Sequence, residues 1–237
     1  LKNNDSALNV WKKNIPQQIE RIKRAGINYK NKKILIISGG PGIFAKYLSK
    51  YSDVTITEFN PKTVDAMKKY LNLNAHKFDL NKDNLSNKLN EKYDLIFVES
   101  VVNFSNDIKK FISSICSLLN INGYVIISND SFSLGYAMSW QFEDYIPTNY
   151  PNQSTFLSYF YRFGNFKVIR TEENKYNAFI YRTFSGGWKS IITNFFRLPF
   201  WIFYSIKANR PFTNLNTKLW SQNIIYYLQY ISEVKES

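Results

Sequence analysis

The first part of the chain carries apolar residues at helical spacing, namely Leu8, Trp11, Ile15, Ile19 and Ile22. Basic residues fall off this apolar stripe, and Gly26 follows where a helix would stop. A stripe of this kind packs one face of a helix against a protein core. The pattern predicts an amphipathic helix within an N-terminal helical cap over residues 1–32.

The central part of the chain alternates between short apolar runs and helical patterns. The runs predict strands at 33–38, 53–59, 76–80, 93–100 and 123–130. The segments between them predict helices at 43–51, 61–71 and 107–119. Strands that are apolar on both faces and separated by helices are typical of a parallel sheet with helices on both sides.

The regular pattern stops after the fifth strand. The aromatic segment 131–153 is too long for a simple connection, and long loops in compact domains are usually functional. Residues 154–164 then predict a helix. Residues 165–172 and 175–184 predict two antiparallel strands, joined by a hairpin turn at 172–175. The last fifty or so residues predict helices.

Composition and charge favour a globular protein with an anionic partner. The chain has 237 residues, 44% of them hydrophobic, and a formal net charge of +13. Residues 1–33 hold nine Lys or Arg residues against two acidic ones. Such a charge favours nucleic acid, an anionic membrane face or an acidic substrate as a partner. A solvated helix face explains the basic N-terminal segment equally well.

The single cysteine, Cys116, excludes an internal disulfide and a cysteine-based zinc site, so no metal site is predicted. It lies in an apolar helical pattern, which predicts a buried thiol. The N-terminal residues lack a signal pattern, and the most apolar window, 198–206, is too short to span a bilayer. These features predict a cytoplasmic protein.

A glycine-rich turn follows the first strand, in the stretch Ser38–Gly42. In a parallel sheet, ligands bind beyond the carboxyl ends of the strands, where the strand order reverses. Acidic residues follow the other strands at Glu58, Asp79, Glu99 and Asp130. A carboxylate after strand two accepts hydrogen bonds from both hydroxyls of a ribose, and one after strand three can reach an adenine amino group. The sequence therefore predicts a pocket for an adenosine-containing cofactor.

Several segments in this order resemble class I S-adenosylmethionine-dependent methyltransferases. They are GGPG after strand one, EFNP after strand two, FDL, and LLNINGYVIIS leading into strand five. The resemblance implies a Rossmann-like methyltransferase fold, with a mostly parallel seven-stranded sheet, helices on both faces and an antiparallel C-terminal strand pair. It assigns residues 33–183 to the cofactor-binding domain and leaves 184–237 as a helical, aromatic extension.

The same resemblance implies the cofactor-binding residues Ser38, Gly39, Gly40, Gly42, Glu58, Phe59, Asp79, Leu80 and Glu99. The glycine turn would lie against the methionine and ribose part of the cofactor, and Glu58 would hold the ribose. Phe59 would lie beside the adenine, Asp79 and Leu80 would contact the base, and Glu99 would face the reacting centre. The product would be S-adenosylhomocysteine.

The predicted reaction is methyl transfer to a small polar or anionic, possibly glycan-related, acceptor at oxygen. Such a displacement needs a base only when the acceptor is a poorly ionised hydroxyl. His76, the only histidine, is predicted at the start of strand three, away from the site. The catalytic candidates are Glu99, Asp130 and Tyr136, followed by the loop residues Glu143, Asp144 and Tyr145.

Other functions stay open at the level of sequence. The basic N-terminus keeps a nucleic-acid methyltransferase as the second choice. Gly40, Gly42 and Ala45 also fit the glycine pattern of nicotinamide-binding proteins. Ile36 and Ser38 replace an acid and a glycine that the resembled family often has, which would suit a non-catalytic cofactor-binding subunit. The aromatic segment 195–203 predicts core packing, with a lid, a homodimer contact or a peripheral membrane contact as alternatives.

Overall fold

A computed structural model of the chain describes residues 15–16, 18–98, 101–131, 151, 153–176 and 221–233. Its strands are β1 (Lys33–Ile37), β2 (Asp53–Glu58), β3 (Asn74–Lys77), β4 (Tyr93–Val98), β5 (Leu119–Ser131), β6 (Asn165–Tyr176) and β7 (Ser221–Ser232). They form one seven-stranded sheet in the order β3-β2-β1-β4-β5-β7-β6. The first five strands run parallel, and β7 runs antiparallel to both β5 and β6. The predicted fold class is confirmed.

Helices cover both faces of this sheet. They are α1 (residues 18–24), α2 (Ile43–Leu48), α3 (Pro61–Leu71), α4 (Leu85–Lys88), α5 (Ile108–Ser117) and α6 (Gln153–Phe163). One buried cluster joins α1, α2 and α3 to the sheet, and a second joins α4, α5 and α6 to the opposite face. Within the described ranges, no helix combines the length and the apolar character needed to cross a membrane.

Local sequence signals explain where the longer helices begin. The Asn60 side chain accepts a hydrogen bond from the Lys62 N–H at 2.9 Å and caps α3, whose first residue is Pro61. Asp107 caps α5 in the same way, accepting from the Lys110 N–H at 2.9 Å. The predicted helices 61–71 and 107–119 are confirmed, with α5 ending two residues earlier than predicted.

The C-terminal strand pair is present, but its second strand is not the predicted one. Residues 172–175, predicted as a hairpin turn, lie within β6, where Glu172 pairs with Ile225. The partner of β6 is β7, in a region predicted to be helical, so that prediction is wrong for residues 221–232. The side chains from Ile224 to Leu228 are buried between β5 and β6, and a continuous apolar run of this kind does not distinguish a buried strand from a helix. Residues 177–184 of the predicted strand lie outside the described residues.

Strand β3 is also displaced from its predicted position. It covers Asn74–Lys77 rather than 76–80, so Asp79 lies two residues beyond its end. His76, predicted at the start of the strand, is its third residue and lies opposite Thr57 in β2. The strand is short and only partly apolar, so its limits were weakly marked in the sequence.

One partly buried carboxylate connects the starts of three neighbouring strands. Asp94 accepts hydrogen bonds from the Lys33 N–H and from Asn120 Nδ2, each at 2.9 Å. Burial alone would raise the pKa of Asp94, but these two donors hold it below its ordinary value. The carboxylate therefore stabilises the fold in its ionised form.

We expect Asp94→Ala to lower the free energy of unfolding by about 2 kcal/mol at pH 7, because two donors lose an ionised partner. Because the pKa of Asp94 is lower in the folded state, its carboxylate stabilises the fold at pH values above the unfolded-state pKa near 3.9. This stabilisation is lost as the pH falls through the folded-state pKa. The difference from wild type should therefore shrink below about pH 4. Urea unfolding at pH 7 and pH 3 measures it, with the exposed Asp65→Ala as control. An equal loss at both pH values would show that packing, not charge, is responsible.

Candidate functional site

The glycine turn lies at the carboxyl edge of the sheet, directly after β1. Because β1 pairs with β2 on one side and β4 on the other, this is where the strand order reverses. Ser38, Gly40 and Gly42 have positive φ angles of 58°, 57° and 77°. The Gly39 N–H donates to the Thr57 carbonyl at 3.3 Å, and the Gly42 N–H donates to the Gly39 carbonyl at 3.2 Å. The backbone therefore folds into a compact turn that is tied to the end of β2.

Two of the glycines are required by packing beneath the turn. A Cβ atom on Gly39 would lie 2.5 Å from Ile56 Cδ1 and 2.9 Å from Ile36 Cγ2. A Cβ atom on Gly42 would lie 2.6 Å from Met67 Sδ in α3. These distances are shorter than side-chain carbon atoms tolerate, so the turn can sit this close to β2 and α3 only without side chains.

Glu58 is held against the turn by its carboxylate. Its Oε2 accepts a hydrogen bond from the Gly40 N–H at 3.1 Å, and its Oε1 accepts from the Phe59 N–H at 2.8 Å. The Asn60 N–H donates a longer, third bond to Oε1 at 3.4 Å. An ionised carboxylate has about four lone-pair sites, so capacity for a further donor remains. The sequence prediction that the glycine turn and Glu58 form one site is supported by this contact across 18 residues of chain.

The residues at this edge fit an adenosine-containing cofactor. The half-buried Glu58 carboxylate has its orientation set by three backbone donors and retains capacity for a ribose hydroxyl. Phe59 follows it with 57% of its surface exposed, so an aromatic ring is available next to the carboxylate. Such a ring can stack on a purine base. In the described part of the chain, no three His, Cys, Asp or Glu side chains gather as metal ligands would.

Asp79 lies near Glu58 but its carboxylate is engaged in its own turn. The Phe78 N–H donates to the Glu58 carbonyl at 3.0 Å, which brings the loop after β3 to this edge. Asp79 Oδ1 accepts from the Asn81 N–H at 3.0 Å, and Oδ2 lies 3.8 Å from Lys82 Nζ. The predicted contacts of Asp79 and Leu80 with the base stay predictions.

A residue that the sequence did not single out connects two loops at this edge. Asn81 Nδ2 donates to the Phe104 carbonyl at 3.1 Å, and its Oδ1 accepts from the Asn106 N–H at 2.7 Å. These bonds join the loop after β3 to the 3-10 turn Val102–Phe104 that follows β4. Asparagine is abundant in this chain, so nothing in the sequence distinguished Asn81.

The structure leaves the predicted catalytic residues untested. Glu99 and Tyr136 lie outside the described residues, as do the loop candidates Glu143, Asp144 and Tyr145. Asp130 lies on β5 opposite Asn223, with only its backbone described. These residues stay predictions.

The two other reactive side chains do not contribute to the described site. His76 Nε2 lies 2.9 Å from Asn74 Oδ1, so the ring turns back along its own strand rather than towards Glu58. Burial lowers the pKa of His76, and the nearby Lys68 lowers it further. Burial raises the pKa of the Cys116 thiol to about 12, as expected for the buried residue that the sequence predicted.

A cavity of about 30 Å³ lies under α1 on the same face of the sheet as α2. Its walls are mostly apolar, and four polar side chains also line it: Gln18, Arg21, Ser128 and Tyr227. This group could not be predicted from the sequence, because Tyr227 lies in a segment whose apolar pattern predicts a helix. The pairing of β7 with β5 brings Tyr227 next to β4 and α1.

The strand order and the glycine turn beside its reversal define this chain as a Rossmann-like protein of the methyltransferase class. A family model described as a methyltransferase domain matches residues 10–168, more than half of the chain. The chain belongs to this family, and its predicted cofactor, S-adenosylmethionine, is confirmed. The nicotinamide alternative loses its support. No curated protein sequence matches the chain.

Solved structures share the fold at low sequence identity. N-methyltransferase NodS from Bradyrhizobium japonicum WM9, solved with S-adenosyl-L-homocysteine, is 11% identical with a TM-score of 0.55, over 90% of this chain and 84% of NodS. The StiE O-MT is 11% identical with a TM-score of 0.58, over 91% of this chain and 74% of its own. Coclaurine N-methyltransferase, bound to N-methylheliamine and S-adenosylhomocysteine, is 12% identical with a TM-score of 0.57, over 91% of this chain and 72% of its own.

Proposed function

We propose that this methyltransferase transfers the methyl group of S-adenosylmethionine to oxygen on a small polar or anionic acceptor. The observation that carries the proposal is the hydrogen bond of 3.1 Å between the Gly40 N–H and Glu58. It places an oriented carboxylate beside bare backbone at the point where the strand order reverses, which suits a ribose and the chain attached to it.

The roles of the described residues follow from this arrangement. S-adenosylmethionine, when bound, supplies an electrophilic methyl group on its sulfonium. Glu58 would accept hydrogen bonds from the ribose hydroxyls, and Phe59 would cover the base. The turn at Gly39 and Gly40 would let the cofactor approach the backbone closely. Methyl transfer is a direct displacement, so these residues act by alignment and by excluding water rather than by acid–base chemistry.

The acceptor proposal is supported by the charge of the chain and by the orientation of its histidine. The chain carries a formal net charge of +13, which favours an anionic acceptor. An anionic oxygen is already nucleophilic and needs no base, which agrees with a histidine turned away from Glu58. The names of the StiE O-MT and coclaurine N-methyltransferase indicate transfer to oxygen and to nitrogen, so the atom stays part of the proposal.

A thermal shift assay tests the cofactor site. At a concentration 100 times its dissociation constant, a ligand stabilises the folded state by about 2.7 kcal/mol. For a chain of this length we expect S-adenosylhomocysteine to raise the melting temperature by roughly 5 °C or more. NAD at the same concentration should leave it unchanged. A rise with NAD alone would overturn the proposed site.

A methyl-release screen tests the acceptor. Radiolabelled S-adenosylmethionine is incubated with the full chain and with panels of small carboxylic acids, sugars, amines and total RNA. Label transfer to a small acid or hydroxyl compound supports the proposal. Label transfer only to RNA, with a steep loss of binding as salt rises, would favour the nucleic-acid alternative instead.

A further inference from the structure

The edge of the sheet at which the parallel strands begin, which we call the amino edge, lies opposite the glycine turn and exposes apolar side chains. In the described part of the chain, six large apolar side chains are exposed, and one of them, Phe59, lies at the carboxyl edge. The other five lie in segments at the amino edge, namely Tyr51, Tyr70, Ile121, Tyr161 and Ile231. Single exposed apolar residues are ordinary, but their collection at one edge indicates a contact surface.

Two isoleucines of this surface come together where β5 begins and β7 ends. Tyr124 of β5 pairs with Gln229 of β7. Ile121 lies three residues before this pair and Ile231 two residues after it, so both are at the same end of the two strands. Their side chains are 62% and 41% exposed. Tyr161, in the last turn of α6, precedes β6 at the same end.

Lysines lie against the exposed tyrosines in the other half of the amino edge. Lys30 Nζ is 5.7 Å from the centre of the Tyr51 ring, and Lys69 Nζ is 5.1 Å from that of Tyr70. Lys50 is exposed next to Tyr51, in the turn before β2. Among the described residues, no carboxylate forms an ion pair with any of these three lysines. Their charges are therefore available to an anionic partner.

The acidic residues of this edge do not cancel its positive charge. Glu91 Oε2 lies 2.9 Å from Lys33 Nζ, and Asp53 acts on the same ammonium group. Glu233, just after β7, is a third exposed acid. Besides the three lysines beside the tyrosines, further exposed basic residues of the amino edge are Lys68, Lys92 and Arg162. Positive side chains thus outnumber negative ones along this edge.

We propose that the amino edge of the sheet docks on an anionic membrane surface. Lysines are attracted to the charged head groups of anionic lipids, and tyrosines favour the level of the head groups. A nucleic acid would also attract the lysines and stack on the tyrosines. Ile121 and Ile231 favour the membrane, because an aliphatic side chain enters the acyl boundary but does not stack on a base.

Docking at this edge leaves the cofactor site uncovered. The glycine turn and Glu58 lie at the opposite ends of the strands, and the six residues of β2 span roughly 20 Å. The site therefore faces water and stays open to a soluble acceptor while the chain is bound. The docking surface goes beyond the methyl-transfer reaction and does not depend on it.

Flotation of the full chain with lipid vesicles tests this surface. We expect binding to vesicles of equal parts of phosphatidylcholine and phosphatidylglycerol, no binding to phosphatidylcholine alone, and a loss of binding as salt rises. The amino-edge variant carries Lys30→Gln, Lys50→Gln and Lys69→Gln. It should bind the anionic vesicles about 100-fold more weakly, because each lysine near such a surface contributes about fivefold.

Two further variants separate position from charge and charge from apolar contact. The carboxyl-edge variant carries Lys62→Gln, Lys109→Gln and Lys110→Gln, all at exposed lysines, and should bind as wild type does. Ile121→Ser with Ile231→Ser keeps every charge and should weaken vesicle binding about tenfold. Its binding to polyuridylate RNA should equal that of wild type. All these side chains are exposed, so the melting temperatures of the variants should match that of wild type.

The membrane surface would be overturned by wild-type chain that stays off the anionic vesicles, or by isoleucine variants that bind them undiminished. Equal vesicle binding by the amino-edge and carboxyl-edge variants would also overturn it, because the position of the lysines would then not matter. Polyuridylate that binds wild type more tightly than the vesicles do, and binds the amino-edge variant weakly, would assign the surface to nucleic acid instead.

Discussion

Replacing Glu58 with Ala should weaken binding of S-adenosylhomocysteine about 100-fold, measured by isothermal titration calorimetry. Two hydrogen bonds to a charged group contribute about 1.5 kcal/mol or more each, and a loss near 3 kcal/mol corresponds to two orders of magnitude in affinity. The carboxylate is already oriented by the Gly40 and Phe59 N–H groups at 3.1 and 2.8 Å, so little ordering energy is spent when the ribose binds.

Glu58→Gln separates charge from shape at the same position. It keeps one acceptor oxygen and loses the charge, so we expect an intermediate loss of about tenfold. Asp65→Ala, which removes an exposed acid on α3, should leave affinity unchanged. The melting temperature of the unliganded variants shows whether the turn survives without its carboxylate. Undiminished affinity in a folded Glu58→Ala variant would mean that the cofactor binds elsewhere.

The second large effect is expected at Gly42, where Ala should lower the free energy of unfolding by about 3 kcal/mol. Its φ of 77° is unfavourable for residues with a Cβ, by roughly 1–2 kcal/mol. The added Cβ would also lie 2.6 Å from Met67 Sδ and 3.1 Å from Leu73 Cδ1, and such overpacking costs a further 1–3 kcal/mol or so. Urea unfolding followed by circular dichroism measures the difference.

Gly26→Ala is the matched control for this substitution. Gly26 has a similar φ of 69°, but a Cβ there would meet nothing within 4 Å. The loss of stability in Gly26→Ala should therefore reflect the backbone alone and amount to about 1 kcal/mol. If the two variants lost the same stability, crowding against Met67 would not be the reason for glycine at position 42.

The sequence by itself determined the parallel core of this protein and the meeting of the glycine turn with Glu58 at one edge of the sheet. The apolar runs from Lys33 to Asp130 and the helical patterns between them are local signals, and each was placed within a few residues. The glycine turn and Glu58 could be brought together from sequence because parallel strands end at a common edge. The contact between the Gly40 N–H and Glu58 follows from that rule.

Only the tertiary structure decided how the sheet is completed. The strand β7 is buried on both faces, so its apolar run had no alternation to separate it from a helix, and its partners lie about a hundred residues and some fifty residues away in the chain. The cavity that joins Arg21 of α1 to Tyr227 of β7 depends on that pairing. The hydrogen bond that Asp79 accepts from the Asn81 N–H in its own turn could not be predicted from the sequence either. A carboxylate after a strand can bind a ligand or cap a loop, and the sequence does not distinguish the two. Local patterns of apolar and polar residues determine single helices and strands. Contacts between distant segments depend on packing that no short stretch of sequence encodes.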